Sequence, residues 1–356
     1  MRRRAEGPSG SAPRVLVVVL CETRAWEITA ESFRRNVVGP LAADVALCVG
    51  QTPREVPNPF YEVAARVWKL SEPSDWGEAF EDVAGNRDWE VLLEIHPSLF
   101  GGIEHVRTPQ EGSGAIVLFF RHFLKDCLER EGLLDEYDWY VITRSDFLWP
   151  VPHPRAELLD DAHLYSLNGE RWGGISDRHT VIPQRFIRDY LSITDPIFFD
   201  PKGLLAEIRK RQWIERWDFV NPERFLATRM MTLGLWRHVR FLPYVPYSVR
   251  LAGAHTRWSE GTFDSDAGYF IKYPSEKCRS DIAARFVADE TGWARYLAPA
   301  RGLLTRWRLR RAYAEPPARE LHSRPGGIKP SVREFLSRHP RLLAALRRAR
   351  GPGMST

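Results

Sequence analysis

The chain has 356 residues, of which 44% are hydrophobic, 12% aromatic and 27% charged. That is a globular composition, enough for one large domain or two ordinary ones, and it excludes wholesale disorder and low-complexity fibre. The net charge of +5 is a C-terminal property: residues 301–356 hold fourteen Arg and Lys against Glu315, Glu320 and Glu334, which leaves residues 1–300 net acidic and argues against nucleic acid as a partner.

The longest apolar runs, at 15–20 and 115–120, fall far short of the about 20 residues of a membrane-spanning helix. Residues 1–13 are rich in Arg, Gly, Pro and Ser, which predicts a disordered start and offers no apolar h-region for a secretory signal. Cys21, Cys48, Cys127 and Cys278 form no Cys-x-x-Cys pair and no zinc spacing with His. They read as buried thiols in a reducing compartment.

Residues 14–20 and 44–49 read as buried parallel strands, and 28–41 as a helix ended by Gly39-Pro40. Residues 60–70 combine a short helix with a third strand. Residues 74–84 read as a helix, and 88–95 as a strand or a helix. Gly112-Ser113-Gly114 opens a long helix over 115–131, with Phe119, Phe120, Phe123, Leu124, Cys127 and Leu128 on one side and Gly132 as its stop. Residues 137–143 form the next strand. Strands alternating with helices predict a layered α/β sheet. Short strands follow at 163–167, 179–182, 239–244 and 248–251, with helices at 183–193 and 201–213. Asn221-Pro222-Glu223 is a helix start, with Asn as cap, Pro at the first position and an acid in the first turn. From about 275 the chain becomes helical and then basic.

The most informative segment is 137–149. An apolar strand runs straight into Arg144-Ser145-Asp146. In open α/β sheets ligands bind beyond the carboxyl ends of strands, where an Asp can reach a metal or a sugar hydroxyl. The structural alternative makes Asp146 a turn cap and pairs Arg144 with a surface acid. Glu22-Thr23-Arg24 closes the first strand, where loops commonly meet a nucleotide; alternatively Arg24 is a surface partner of Glu22. No Gly-x-Gly-x-x-Gly and no Walker sequence follows that strand. Gly173-Gly174-Ile175-Ser176-Asp177-Arg178-His179 joins flexible backbone to an acid, a cation and an imidazole. Asp177 there is either a general base or sugar ligand, or a cap paired with Arg178. Glu223 is either an acceptor-side carboxylate or a helix-dipole partner. His255 is a metal ligand or a loop His. Trp172 and Trp258 are sugar platforms or core, and Lys272 is a phosphate contact or a strand-edge Lys.

The segments Glu22-Thr23-Arg24-Ala25-Trp26, 137–149, 173–179 and Asn221-Pro222-Glu223-Arg224-Phe225 together resemble nucleotide-sugar glycosyltransferases of the GT-A fold. More narrowly they resemble bacterial capsule and lipopolysaccharide sugar transferases, and the resemblance covers about residues 14–275. It departs at one point: Arg144 stands where the first Asp of the Asp-x-Asp motif is expected. The resemblance implies an α/β, GT-A-like mixed sheet flanked by helices. A nucleotide-sugar-binding half at 14–150 and an acceptor-binding half at 151–300 make up one domain, with a basic helical appendage at 301–356.

It also implies transfer of a sugar from a nucleotide-sugar donor to a glycan or lipid-linked acceptor in surface polysaccharide synthesis. Thr23, Arg24, Arg144 and Asp146 are then the donor residues. Asp177 and Glu223 are the catalytic candidates. Asp146 and His255 are candidate ligands of a divalent cation, Mn2+ or Mg2+; Arg144 is the alternative that offsets the diphosphate charge directly. The basic, apolar-interleaved stretches 303–312 and 332–350 suit an anionic membrane surface, which makes the expected location cytoplasmic, peripheral at the inner face of the membrane. The competing reading is a non-catalytic nucleotide-sugar-binding or scaffold protein acting through that tail.

Overall fold

The structure, a computed structural model, describes residues 12–53, 55–95, 97–104, 112–254, 261–299 and 302–314. The chain divides into two compact units, residues 1–310 and 311–356. Of the second, residues 311–314 are described, as the end of the helix Gly302–Ala314. The disordered start expected up to residue 11 and the amphipathic stretch 332–350 lie outside the described residues. Among the described residues no helix is long and apolar enough to cross a membrane.

The first unit is the expected α/β layering. Strands β1 (Val15–Cys21), β2 (Asp44–Gln51), β3 (Ala64–Ser71) and β4 (Trp139–Thr143) pair in parallel in the order β3-β2-β1-β4. Beyond β4 the sheet turns mixed. Strand β7 (Thr180–Pro183) runs antiparallel to β4 and to β6 (Leu164–Leu167), and β8 (Val239–Leu242) closes the edge beside β6. Side chains of β1 are buried on both faces, which is why this strand reads as an unbroken apolar run rather than an alternation.

One face packs on the helix Gly114–Arg130 and an aromatic cluster of Trp76, Phe80, Trp89, Phe100, Phe119 and Phe198. A second, four-stranded sheet has the order β10-β11-β9-β5. Its strands are β5 (Phe147–Leu148), β9 (Tyr247–Arg250), β10 (Thr262–Asp264) and β11 (Tyr269–Ile271). Strand β5 begins one residue after Asp146, so the two sheets meet at the end of β4.

Two expectations change. The helix expected over 28–41 is α-helical over Trp26–Phe33, widens to a π-helical turn over Arg34–Val38 and closes at Gly39–Leu41. Pro40 has no N–H to give to the carbonyl of Asn36; the N–H of His153 donates to it instead at 2.7 Å. Residues 88–95 are neither strand nor α-helix but 3₁₀ turns over Asp88–Glu94. Their apolar residues Trp89 and Leu92 are buried against the aromatic cluster, so packing at i and i+3 satisfied the pattern without a longer element.

Behind the end of β4, His179 accepts from or donates to the Thr143 hydroxyl at 3.0 Å, and its other ring nitrogen lies 3.3 Å from that of the buried His153. Burial pushes His153 down to about 4 and, with His153 beside it, holds His179 well below the usual imidazole range. Both rings are therefore neutral in the fold, while the unfolded chain takes up protons below about 6.5. Folding stability should be full at pH 7 and decline as the pH falls from about 6.5 towards 4, read by urea unfolding across that window. Replacement of His153 with Phe should flatten part of the decline.

Candidate active site

The site is built where parallel strands β1 and β4 end side by side. Val19 and Thr143 are register partners, so Glu22-Thr23-Arg24 and Arg144-Ser145-Asp146 emerge together. The Ser145 hydroxyl donates to the Glu22 carbonyl at 2.8 Å, which ties the two loops. Cys21, at φ 81, and Ala25, at φ 55, turn the first loop sharply; such backbone in non-glycine residues marks a tightly determined segment. Burial pushes the Cys21 thiol up to about 12, which removes it as a nucleophile.

Asp146 is 1% exposed. Arg144 grips it in a two-pronged ion pair, with Nε donating to Oδ1 at 2.8 Å and Nη2 to Oδ2 at 2.7 Å. Burial alone would raise the carboxyl, but the charges of Arg144 and Arg24, the Arg144 hydrogen bonds and the charge of Lys272 together hold it far below the usual carboxylate range. The sequence singled out both residues but not their pairing; in the structure two parallel hydrogen bonds make them one bidentate unit.

The second sheet brings more cations to the same place. Strand β9 pairs with β5, and the Val249 N–H donates to the Asp146 carbonyl at 2.9 Å. Arg250 ends β9, and Lys272 follows β11 with its N–H donating to the Ser248 carbonyl at 2.9 Å. Arg178, 5% exposed, is paired with the fully buried Glu276 and stacks over Tyr273 at 5.2 Å. Glu276 also accepts from the Ser248 N–H at 2.8 Å.

Lys272 is 8% exposed. Burial, with the charges of Arg144 and Arg178, pushes its ammonium down to about 6. Arg250 is depressed by burial first, then by Arg24 and Arg144, against the pull of Asp146. Among the described residues no carboxylate lies within ion-pair distance of Lys272 or Arg250, and the Arg250 Nε is buried without a hydrogen-bond partner.

The catalytic candidates face this cluster. Asp177 lies on the loop before β7, and its Oδ1 is buried without a hydrogen-bond partner; the Arg178 Nε is 3.9 Å away. Glu223 is in the first turn of the helix Pro222–Thr232, capped by Asn221 as expected, with the Asn221 side chain accepting from the Arg224 N–H at 2.9 Å. Burial, and next the Asp177 charge, push the Glu223 carboxyl up to about 8. The loop and the helix are fastened together. Ile175 N–H donates to the Glu223 carbonyl at 3.1 Å, and a Cβ on Gly174 would lie 2.0 Å from that oxygen. Glycine is required here for a close approach of two backbones.

Other expectations shift. Thr23 is turned inward: its N–H donates to Glu55 at 2.9 Å and its hydroxyl donates to the same carboxylate. It therefore shapes the β1 loop rather than offering its hydroxyl to a ligand. Arg24 is paired with Glu22 at 3.2 Å and still acts electrostatically on Asp146. Trp172 is not core but 48% exposed. His255 and Trp258 lie outside the described residues.

A divalent cation needs several hard ligands, and both oxygens of Asp146 are already taken by Arg144. Among the described residues no group of three His, Cys, Asp or Glu side chains could hold a metal ion. His255, the second candidate ligand, lies outside those residues, so of the two expected ligands the described set carries Asp146 alone.

Arg121 was missed by the sequence reading. It projects from the helix Gly114–Arg130, is buried, and donates to the Asp177 carbonyl at 2.5 Å and to the Tyr190 hydroxyl at 2.9 Å. The available signal was an Arg inside an otherwise apolar helical stretch. Arg250 had a similar signal, closing a short β-type run with a cation; Lys272, read as a phosphate contact or a strand-edge Lys, is buried beside the cluster.

No protein-family model matches the chain, and no curated protein matches it. Among solved structures the chain is similar to mouse xyloside xylosyltransferase 1 in its apo form, with a TM-score of 0.36 and 10% identity over 65% of this chain and 86% of that one. A likeness at that level carries no weight for the reaction, which is argued from the site.

The pair at the end of β4 generates a stability prediction. Asp146→Ala should cost about 3 kcal/mol, the low end for breaking a buried ion pair, because Arg144 keeps partial access to water. Chemical denaturation should show this as a lower midpoint with an unchanged slope. The double replacement Arg144→Met with Asp146→Leu should recover most of it.

Proposed function

We propose that this protein is a glycosyltransferase that moves a sugar from a nucleotide-linked donor to a glycan or lipid-linked acceptor, with surface polysaccharide synthesis as its setting. The observation that carries the reading is the gathering of Arg24, Arg144, Arg178, Arg250 and Lys272 near the ends of β1 and β4: Glu22, Asp146 and Glu276 pair with the first three, and among the described residues no carboxylate is within ion-pair distance of Arg250 or Lys272. Cations left without carboxylates in a secluded place favour an anionic ligand. A diphosphate matches that demand, and charge grows on it as it leaves the sugar.

Each group then has a task. Arg144 is held in orientation by Asp146, and Arg250 and Lys272 meet the phosphate oxygens. Arg144 and Arg250 are fixed cations that need no reorganisation during reaction, so they stabilise the leaving group more than they would in water, while Lys272 gains its charge as the ligand binds. Asp177 is the base: the acceptor hydroxyl gives its proton to Oδ1 as the oxygen forms the new glycosidic bond and the bond from sugar to diphosphate breaks. Glu223, held towards 8, carries a proton at neutral pH and donates a hydrogen bond to a sugar or acceptor oxygen. The basic tail at 301–356 on an anionic membrane surface belongs to the same proposal, since a lipid-linked acceptor would be presented there.

Titration calorimetry with UDP, GDP, CDP, ADP and dTDP in EDTA tests the reading. One nucleoside diphosphate should bind without added metal. Lys272, mostly neutral in the free protein above about pH 6, should take up a proton as the anion arrives, so the measured heat at pH 7.5 should depend on the ionisation enthalpy of the buffer. Lys272→Met should remove that dependence and weaken binding about 10-fold or more, the loss of one charge-assisted contact. If no nucleotide binds in EDTA while one binds with Mn2+, the fixed-cation site is wrong; if none binds under either condition, the donor reading fails.

A further inference from the structure

The loop 168–173 meets Tyr273, the ring beside Arg178 and Lys272, and its backbone is unusual. Glu170 and Trp172 both adopt φ 44, and Gly173 follows at φ 87. The left-handed region is open to glycine and unfavourable for a bulky aromatic residue. The chain has glycines at the next two positions, yet Trp holds this one. A requirement for the turn alone would be met better by glycine.

The loop is fastened at several points. The Trp172 carbonyl accepts from the Asn221 side chain at 3.2 Å, and the Gly174 N–H donates to the Arg171 carbonyl at 2.6 Å. The Ser275 hydroxyl donates to the Glu170 carboxylate at 3.2 Å. The strained backbone is thus determined by its surroundings, the condition under which strain points to a use.

What this effort displays is an indole ring with 48% of the residue open to solvent. The ring meets Tyr273 edge-on, with centroids 5.9 Å apart and planes at 61°. Tyr273 in turn has the Arg178 guanidinium 5.2 Å and the Lys272 ammonium 5.0 Å from its ring centroid. Trp172 is therefore one ring outward from the cations. A group seated on it would lie beside the cations without touching them.

We propose that Trp172 is a binding platform for a pyranose ring, its apolar C–H face laid on the indole, next to the diphosphate site. The inference rests on the reading of that site as a nucleotide-sugar site and adds the residue that recognises the sugar side of the ligand. A flat apolar face with a polar rim is what a pyranose offers, and Trp supplies a rigid, amphipathic surface at small conformational cost.

The test compares wild-type protein with Trp172→Gly and Trp172→Phe. Saturation-transfer NMR is run with the methyl pyranosides of glucose, galactose and mannose, and separately with uridine and guanosine. Thermal unfolding and calorimetry with the nucleoside diphosphates accompany it. The wild type should saturate the ring C–H protons of at least one pyranoside, Trp172→Gly should reduce that signal at least 5-fold, and Trp172→Phe should keep part of it. Because glycine relieves the strained φ, Trp172→Gly should unfold at the same temperature or higher and bind nucleoside diphosphate unchanged.

A clear fall in unfolding temperature would make Trp172 a packing residue and overturn the proposal. So would an unchanged pyranoside signal in Trp172→Gly, the lack of any pyranoside signal in the wild type, or saturation of the nucleosides alone. Failure of nucleoside diphosphate binding in the wild type would instead overturn the donor-site reading, and the pyranoside experiment reports separately.

Discussion

Repulsion between cations gathered out of water is the constraint on which the site depends. Arg144, Arg178, Arg250 and Lys272 are brought together by two sheets, and each raises the cost of charging the others. Charge in such surroundings is tolerated only when paired and hydrogen-bonded. Asp146 and Glu276 provide that pairing, and both are locked. Asp146 is gripped by two prongs of Arg144, and Glu276 takes Arg178 together with a backbone N–H of β9. The remaining positive charge is resolved by the pKa of Lys272, which burial first and then the charges of Arg144 and Arg178 move down against the pull of Asp146.

The arrangement of protons follows from that geometry. Burial and the neighbouring Asp177 charge raise Glu223, while burial and neighbouring cations lower Lys272. Titratable groups driven in opposite directions within one secluded place are what acid–base chemistry and anion capture use. The fold supports them from behind. Arg121 reaches out of the core to the Asp177 carbonyl, and Gly174 lets the Asp177 loop touch the start of the helix Pro222–Thr232.

Much of this was legible in the sequence. The apolar runs of β1, β2 and β4 announced a buried sheet. Residues 221–223 announced the helix start that carries Glu223, and the polar triplet at 144–146 announced the strand end. These signals are local: burial on both faces fixes composition, and capping fixes residue type at a definite position. The helix expected over 28–41 was right in kind and wrong in regularity, because the effect of Pro40 depends on whether another donor, here His153, reaches the carbonyl it leaves open. Trp172, counted with the core on composition, is exposed because a strained turn lifts it away.

By itself the sequence determined the α/β class, the order of the main elements, and the presence of Arg144, Asp146, Asp177 and Glu223 at ends of elements where side chains can meet a ligand. It could not determine how those groups use one another. Whether Asp146 faces a metal or Arg144 depends on a side-chain geometry of two residues and on the strand pairing around them. That Arg178, Arg250, Lys272 and Glu276 share the site depends on β9 and β11 crossing back to the end of β4, a contact between segments about a hundred residues apart. Electrostatic energy falls with distance in space rather than along the chain, so charge pairing and the resulting pKa values were decided only when the two sheets met.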